Sequence, residues 1–124
     1  SSAASDVYKR QQQDAVDIVQ IDSCRIGGLN EVLGVLLLAH KYQKPVWPHA
    51  GGVGLCEYVQ HISMIDYLLI SCEKNSKRIE YVDHLHEHFI NPCKINDGKY
   101  MAPLEPGFSI EMKPETFTNF LHLK

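Results

Sequence analysis

The chain has 124 residues, of which 44% are hydrophobic and 22% are charged. This length suits one domain of ordinary size. The formal net charge of -3 leaves no excess of basic residues. The composition therefore argues against binding to nucleic acid or to an anionic membrane surface, and is compatible with a small neutral or anionic ligand.

The cysteines are widely spaced, unlike the dense frameworks of small secreted domains; they are Cys24, Cys56, Cys72 and Cys93. We therefore expect them to be reduced and mostly buried, in an intracellular protein, with the cytoplasm and the mitochondrion both left open. The apolar run over residues 32–39 is too short for a membrane span, which needs about 20 residues.

Residues 1–11 are small, polar and aperiodic, which predicts a disordered tail. A second interpretation is an artefact, because codons for residues 6–11 can spell a transposon end used to prepare sequencing libraries. In either case we expect residues 12–124 to form the folded region.

The first predicted element is a strand over residues 15–22, a β-rich apolar run that ends in Asp22. A turn at residues 27–28 follows, and Asn30 can cap the next helix. That helix should end near Tyr42. Its apolar positions are dense enough to predict a largely buried element; they are Val32, Leu33, Val35, Leu36, Leu37 and Leu38.

A second strand is predicted over residues 45–48, and it is followed by His49 and a glycine-rich loop. The loop predicts either a close backbone approach to a ligand or a plain tight turn. Apolar residues then recur at helical spacing over residues 55–65. Residues 67–70 can continue this helix or form a strand, and periodicity leaves both open.

Residues 79–82 predict a third strand, which completes a βαβαβ pattern. Residues 92–112 contain a turn signal at Asn96-Asp97-Gly98 and predict a hairpin or an extended return segment. Parallel strands need cover on both faces, and three strands alone leave open edges. The pattern therefore predicts an α/β domain from which part of the fold is missing.

Asp22 and His49 each follow the last apolar residues of a predicted strand, and Glu80 lies in the third strand. In a barrel of alternating strands and helices, the ends of neighbouring strands place such side chains close together. A carboxylate that holds an imidazole fixes its tautomer and favours proton transfer near neutral pH. The alternative is that Asp22 caps a turn while His49 and Glu80 are ordinary polar residues.

His84, His86 and His88 alternate along the chain. Alternate residues of a strand share a face and histidine is a common zinc ligand, so one hypothesis is a zinc site. The run lacks the spacing of closed structural zinc sites. The alternative interpretation is a polar segment packed near the rim of a barrel.

Three motifs carry a resemblance to a known family; they lie over residues 20–25, 48–57 and 80–89. In order and spacing they resemble the L-fuconate dehydratases, which are acid-sugar dehydratases of the mandelate racemase subgroup of the enolase superfamily. The similarity extends over residues 12–113.

The resemblance implies that the folded region is part of a (β/α)7β barrel, with about strands six to eight and a C-terminal return segment. It implies a hydro-lyase that converts a sugar acid into a 2-keto-3-deoxy sugar acid through an enediolate stabilised by Mg²⁺. It assigns His49 and Asp22 as a catalytic dyad, with His49 the acid that helps the hydroxyl leave. Glu80 is assigned to binding the substrate carboxylate or the enediolate.

The family's Lys-x-Lys pair and its three acidic metal ligands have no counterpart in this sequence, so no residue of this chain is assigned to a metal. We therefore expect the chain alone to be inactive and the full-length parent to bind a small-molecule sugar acid, with a homo-oligomeric parent left open. A noncatalytic binding or regulatory short form that needs a partner is the alternative, and a small metalloprotein using the three histidines is a third.

Overall fold

The computed structural model describes Lys9 and residues 14–74 and 77–120. Apart from Lys9, the predicted tail over residues 1–11 lies outside the described residues. Within the described part, no helix is long and apolar enough to cross a bilayer. The elements, in chain order, are helix α1 (Leu29–Lys41), helix α2 (Leu55–Ile65), a π-helix (Asp66–Ser71), a 3-10 helix (His86–His88), strands β1 (Ile95–Asn96) and β2 (Lys99–Tyr100), and helix α3 (Pro114–Phe120).

Extended segments lie side by side where the first two strands were predicted. Val19 donates to the carbonyl of Pro45 at 2.9 Å and accepts from the amide of Trp47 at 3.0 Å. The amide of His49 then donates to the carbonyl of Ile21 at 2.9 Å. This pairing is parallel, so the ends of the two segments point the same way.

Within the described part of the chain, one backbone-to-backbone hydrogen bond joins the third segment to the second, from the amide of Glu80 to the carbonyl of Pro48 at 3.3 Å. Pro48 has no N–H with which to bond the third segment in return. The predicted regular strands over residues 15–22, 45–48 and 79–82 are therefore wrong in extent, although the segments run where the sequence predicts them.

Helix α1 covers the extended segments with one apolar face. Val32, Val35, Leu36 and Ala39 are at most 1% exposed, whereas Leu37 is 58% exposed. With 3.6 residues per turn, Leu37 projects away from the face that the other four share. The prediction that Leu37 is buried is therefore wrong.

The start of α1 also differs from the prediction. Its cap is Gly28, with a φ of 99° that favours glycine, and Asn30 lies inside the first turn. The helix ends at Lys41, one residue before the predicted end at Tyr42.

Helix α2 passes directly into the π-helix, which resolves the two interpretations of residues 67–70 in favour of a helical continuation. At the junction, the buried side chain of Asp66 forms an ion pair with Lys77. Leu68 and Leu69 on the π-helix are exposed.

The core has two parts. The larger part joins α1, α2 and the first two extended segments through Val19, Ile21, Val32, Val35, Leu36, Ala39, Val46 and Ile62. The smaller part lies around the start of α2 and consists of Ala50, Leu55, Cys56 and Val59.

The C-terminal region contains both features predicted for residues 92–112. Strands β1 and β2 form an antiparallel hairpin around Asp97 and Gly98, whose φ angles of 50° and 67° are those of a type I′ turn. Further on, Met112 forms an antiparallel bridge with Phe89, which ties the returning chain to the residues after the 3-10 helix.

Candidate functional site

Asp22 lies at the end of the first extended segment and holds the turn that follows. Its Oδ1 accepts a hydrogen bond from the amide of Cys24 at 2.9 Å. Its Oδ2 lies 3.1 Å from Nε of Arg25. Asp22 therefore caps the turn, as one of the two sequence interpretations predicts, and its Oδ2 also faces His49.

The imidazole of His49 lies between two carboxylates. Its Nδ1 is 2.6 Å from Oε2 of Glu80, and its Nε2 is 3.9 Å from Oδ2 of Asp22. The first distance is within hydrogen-bonding range and the second is too long for a hydrogen bond. The structure thus brings the three predicted residues together, with Glu80 rather than Asp22 as the closer partner of His49.

Glu80 is held at both its side chain and its backbone. Oε2 accepts the amide of Ala50 at 2.7 Å, in addition to facing His49. The carbonyl of Glu80 accepts the hydroxyl of Tyr100 at 2.6 Å. Burial raises the pKa of Tyr100 well above its ordinary value, so this phenol stays a proton donor and anchors Glu80 to β2.

The loop after His49 leaves room for the imidazole. A Cβ atom at Gly51 would lie 2.5 Å from Cε1 and 2.9 Å from Nε2 of His49. Glycine at this position is therefore required by the placement of the ring.

This arrangement suits proton transfer. A carboxylate oxygen only accepts hydrogen bonds, so Nδ1 of His49 is the protonated nitrogen toward Glu80. Nε2 is then the nitrogen that can give or take a proton, and the side chain of His49 is 31% exposed, so a bound molecule can reach it.

The described residues do not fit a Mg²⁺ site. Mg²⁺ prefers oxygen ligands in octahedral geometry. Oδ1 and Oδ2 of Asp22 are engaged by Cys24 and Arg25, and Oε2 of Glu80 is engaged by Ala50 and His49. Among the described residues, three potential metal ligands gather only in a group that contains two thiols, which Mg²⁺ disfavours.

The three alternating histidines do not share a site. His86 bonds to Glu57, whereas His88 bonds to Thr116 through Nδ1. His84 is exposed. The 3-10 helix turns these side chains in different directions, so the zinc site hypothesised from the three histidines is wrong.

None of the four cysteines forms a disulfide in this structure. Cys56 is buried, but Cys24 and Cys72 are exposed, so the expectation of mostly buried cysteines is wrong for these two. Both lie where the backbone bends, Cys24 in the turn after Asp22 and Cys72 just after the π-helix. Burial, together with the charge of Glu57, raises the pKa of Cys93 to about 12.

Comparison with known families identifies the fold. Residues 4–116 match the sequence model of the family described as enolase C-terminal domain-like. The chain belongs to this family.

Relatives of this enolase C-terminal domain-like chain include named dehydratases. L-galactonate dehydratase from Hypocrea jecorina is 57% identical over 106 residues, which are 86% of this chain and 23% of that protein. Mitochondrial enolase superfamily member 1 from Homo sapiens is 54% identical over 105 residues, which are 85% of this chain and 24% of that protein. The chain spans about a quarter of the length of these relatives.

Solved structures agree with the family assignment. The crystal structure of human mitochondrial enolase superfamily member 1 matches with a TM-score of 0.85 and 52% identity, over 89% of this chain and 25% of that chain. L-talarate dehydratase from Polaromonas sp. JS666, solved in complex with Mg and L-glucarate, matches with a TM-score of 0.71 and 20% identity, over 94% of this chain and 28% of that chain. The second match supports the fold alone.

Several contacts at the site of this enolase C-terminal domain-like chain were missed by the sequence analysis. Arg25 pairs with Asp22, and its place three residues later in the same motif is a signal that could have found it. Tyr100 supports Glu80 from the hairpin, and no local pattern predicts a contact between residues so far apart in the chain.

Proposed function

We propose that this chain is the section of an acid-sugar dehydratase that supplies an acid–base histidine, His49, together with its two carboxylate partners. The observation that carries this proposal is the position of His49 at the ends of parallel segments, with Nδ1 2.6 Å from Glu80 and Nε2 3.9 Å from Asp22. The named dehydratase among the relatives supports the reaction class.

His49 is the proton donor in this proposal. The reaction removes a proton from the carbon next to the substrate carboxylate, and the hydroxyl on the following carbon then leaves. Nε2 of His49 gives its proton to that hydroxyl as the carbon–oxygen bond breaks, so that water departs and a 2-keto-3-deoxy sugar acid forms. The base that takes the first proton belongs to residues outside this chain.

The two carboxylates have separate roles. Glu80 orients the ring by accepting a hydrogen bond from Nδ1. It also lies close enough to the ring to contact a bound sugar acid. Asp22 stabilises the charged imidazolium from the other side and is itself held by Arg25. We assign Asp22 and His49 to catalysis and Glu80 to substrate binding.

Two related sugar acids are the substrates to test. The sequence motifs resemble those of the L-fuconate dehydratases, and a relative is named L-galactonate dehydratase. These two acids differ only in the hydroxyl on carbon 6, so one shared site can in principle accept both. We propose a six-carbon sugar acid of this configuration as the substrate of the whole enzyme.

A hybrid enzyme tests this proposal. It is the Hypocrea jecorina L-galactonate dehydratase in which the 106 matched residues are replaced by those of this chain. We expect the hybrid enzyme to form the 2-keto-3-deoxy acid from L-galactonate or L-fuconate. We expect the 124-residue chain alone to form none, because it lacks the lysine base and the metal ligands.

The variant His49→Asn in the hybrid enzyme should abolish product formation, whereas His40→Asn, at an exposed position on α1, should leave it unchanged. A folded hybrid enzyme that keeps its activity after His49→Asn would overturn the proposal. Far-ultraviolet circular dichroism of each variant establishes that the comparison is made between folded proteins.

A further inference from the structure

A second group of reactive side chains lies apart from His49. One ligand atom each from Cys56, His86 and Cys93 lies within 4.8 Å of the other two. Cys56 is buried near the start of α2, His86 begins the 3-10 helix, and Cys93 precedes β1. The fold therefore brings the thiol of Cys56 next to an imidazole and a second thiol that lie 30 and 37 positions later in the chain.

The carboxylate of Glu57 lies beside this group, against His86 and Cys93. Its Oε1 is 2.6 Å from Nδ1 of His86 and accepts the amide of Cys93 at 3.3 Å. The residue is 0% exposed, and its buried Oε2 has no hydrogen-bond partner among the described residues. A buried carboxylate with an unbonded oxygen is unfavourable unless another positive group neutralises it.

The hydrogen bonds of His86 define which of its nitrogens is available. Nε2 lies 2.9 Å from the carbonyl of Val82, which can only accept, so Nε2 carries a proton. Nδ1 shares a second proton with Oε1 of Glu57, 2.6 Å away, and lies 3.8 Å from Sγ of Cys93. Two electron-rich atoms at such a distance need a proton or a cation between them.

We propose that Cys56, Cys93, His86 and Glu57 form a binding site for Zn²⁺. Two thiolates, one imidazole and one carboxylate are a four-ligand set that zinc accepts in tetrahedral geometry. The bond from Nε2 of His86 to the carbonyl of Val82 is the outer contact that orients a zinc-bound histidine.

For the two sulfurs and the imidazole, the distances are compatible with this ion after small shifts, and Glu57 completes the tetrahedron when its carboxylate turns toward the ion. With bond lengths of about 2.0 to 2.3 Å, the ligands of tetrahedral zinc lie roughly 3.3 to 3.8 Å apart. The two sulfurs and the imidazole, now within 4.8 Å of one another, must approach by about an ångström or less. Glu57 and His86, now 2.6 Å apart, must separate by a similar amount to admit the ion.

Binding involves proton release and no change of oxidation state. Each thiol gives its proton to solvent as its sulfur bonds to zinc, and the proton shared by His86 and Glu57 leaves as well. The bound ion cross-links α2 to the segments on either side of the 3-10 helix. Its role is structural and separate from the proposed chemistry at His49.

Cobalt substitution tests the site directly. The 124-residue chain is reduced, freed of metal with a chelator and titrated with Co²⁺. We expect one equivalent to produce thiolate-to-cobalt charge-transfer absorption together with the visible bands of tetrahedral cobalt, and Zn²⁺ to abolish both. A folded chain that shows no such absorption would overturn the proposal, and none of these readouts depends on turnover.

Variants identify the ligands. Cys93→Val, which replaces the thiol by a somewhat larger apolar group, should lose the charge-transfer absorption, whereas Cys72→Val, at an exposed thiol, should retain it. His86→Asn should weaken binding at least tenfold, and the exposed neighbour His84→Asn should not. Equal effects of the Cys93 and Cys72 variants would contradict the assignment.

A further measurement uses the unmodified chain, so its result does not depend on whether the variants fold. Zn²⁺ should protect two of the four cysteines from a thiol reagent and raise the Tm. Loss of two free thiols in the absence of metal, mapped to Cys56 and Cys93 by peptide mass spectrometry and with no Zn²⁺ bound, would show a disulfide between them and would overturn the zinc site.

Discussion

Gly51 controls where the imidazole of His49 lies. An added methyl group would meet Cε1 at 2.5 Å, and the ring is the movable partner because it is the end of a side chain. We expect Gly51→Ala to swing the imidazole away from Glu80. In the hybrid enzyme, turnover should fall on the order of 100-fold, the cost of misplacing a reacting group by about 1 Å.

Gly27→Ala is the matched control for this variant. Its added Cβ would lie 3.2 Å from Cγ of Glu31, an aliphatic atom that can move. Steady-state rates of the two variants are compared, with circular dichroism to monitor folding. Similar activity in both variants would contradict a positioning role for Gly51.

His61 gives the fold a dependence on pH. Burial lowers the pKa of His61 below its ordinary value, although the backbone of Phe108 and the charge of Glu111 partly offset this effect. The unfolded chain therefore binds a proton at a higher pH than the folded chain does. The contribution of His61 to the free energy of unfolding is present above its ordinary pKa of about 6.5 and declines as the pH falls through that value.

Urea unfolding at a series of pH values measures this effect. We expect His61→Asn to remove part of the loss of stability on acidification, while His40→Asn, at an exposed position on α1, changes it little. An unchanged pH profile in the His61 variant would show that other groups cause the dependence. In the native protein, Nε2 of His61 also lies 3.2 Å from Oγ of Ser109, a contact that is lost on unfolding.

At the scale of elements, helix α1 is stabilised by the face it buries. Leu36 is 1% exposed in the larger core and Leu37 is 58% exposed, although the two are consecutive and chemically identical. Leu36→Ala should lower the free energy of unfolding by about 2 to 5 kcal/mol, whereas Leu37→Ala should change it by less than about 0.5 kcal/mol. Chemical denaturation of both variants tests the orientation of the helix. Equal losses in the free energy of unfolding would contradict the burial of Leu36 and the exposure of Leu37.

The extended segments are less regular than the helices around them. Among the residues that the structure describes, Val19 and Val46 alone form a parallel bridge, and Pro48 offers no N–H for pairing with the third segment. The side chains at the segment ends are held mainly by contacts from loops and the hairpin, such as those of Ala50 and Tyr100 with Glu80. The site therefore depends on tertiary contacts more than on a regular sheet.

At the scale of the whole molecule, several large apolar side chains are exposed. Leu37, Leu68, Leu69 and Leu104 are between 58% and 93% exposed. Consecutive exposed leucines on the π-helix are typical of a surface that another part of a protein, or another chain, covers. This feature favours the noncatalytic alternative, a binding form that needs a partner, as much as it favours a section of a larger enzyme.

We expect the isolated chain to self-associate through this surface. Leu69→Lys should lower the average mass measured by light scattering at high protein concentration, without lowering the urea midpoint. Asn119→Lys, which adds the same charge at an exposed position of α3, should leave the mass unchanged. A chain that stays monomeric at every concentration would instead indicate an independent domain.

The sequence by itself determined the two helices, the hairpin and the order of the three extended segments, because these follow from apolar spacing and from turn residues that act over a few positions. It also placed Asp22, His49 and Glu80 at comparable positions, and the structure brings them together. Their catalytic roles stay predictions.

Only the tertiary structure decided which carboxylate contacts His49, which face of α1 is buried, and that residues 67–70 continue a helix. It alone gathered Cys56, His86 and Cys93 around Glu57. The contacts of His49 with Glu80 and of Cys56 with His86 join residues about 30 positions apart, and their distances depend on how the intervening elements pack. Local propensity and periodicity carry no information about such packing, whereas the folded chain fixes it.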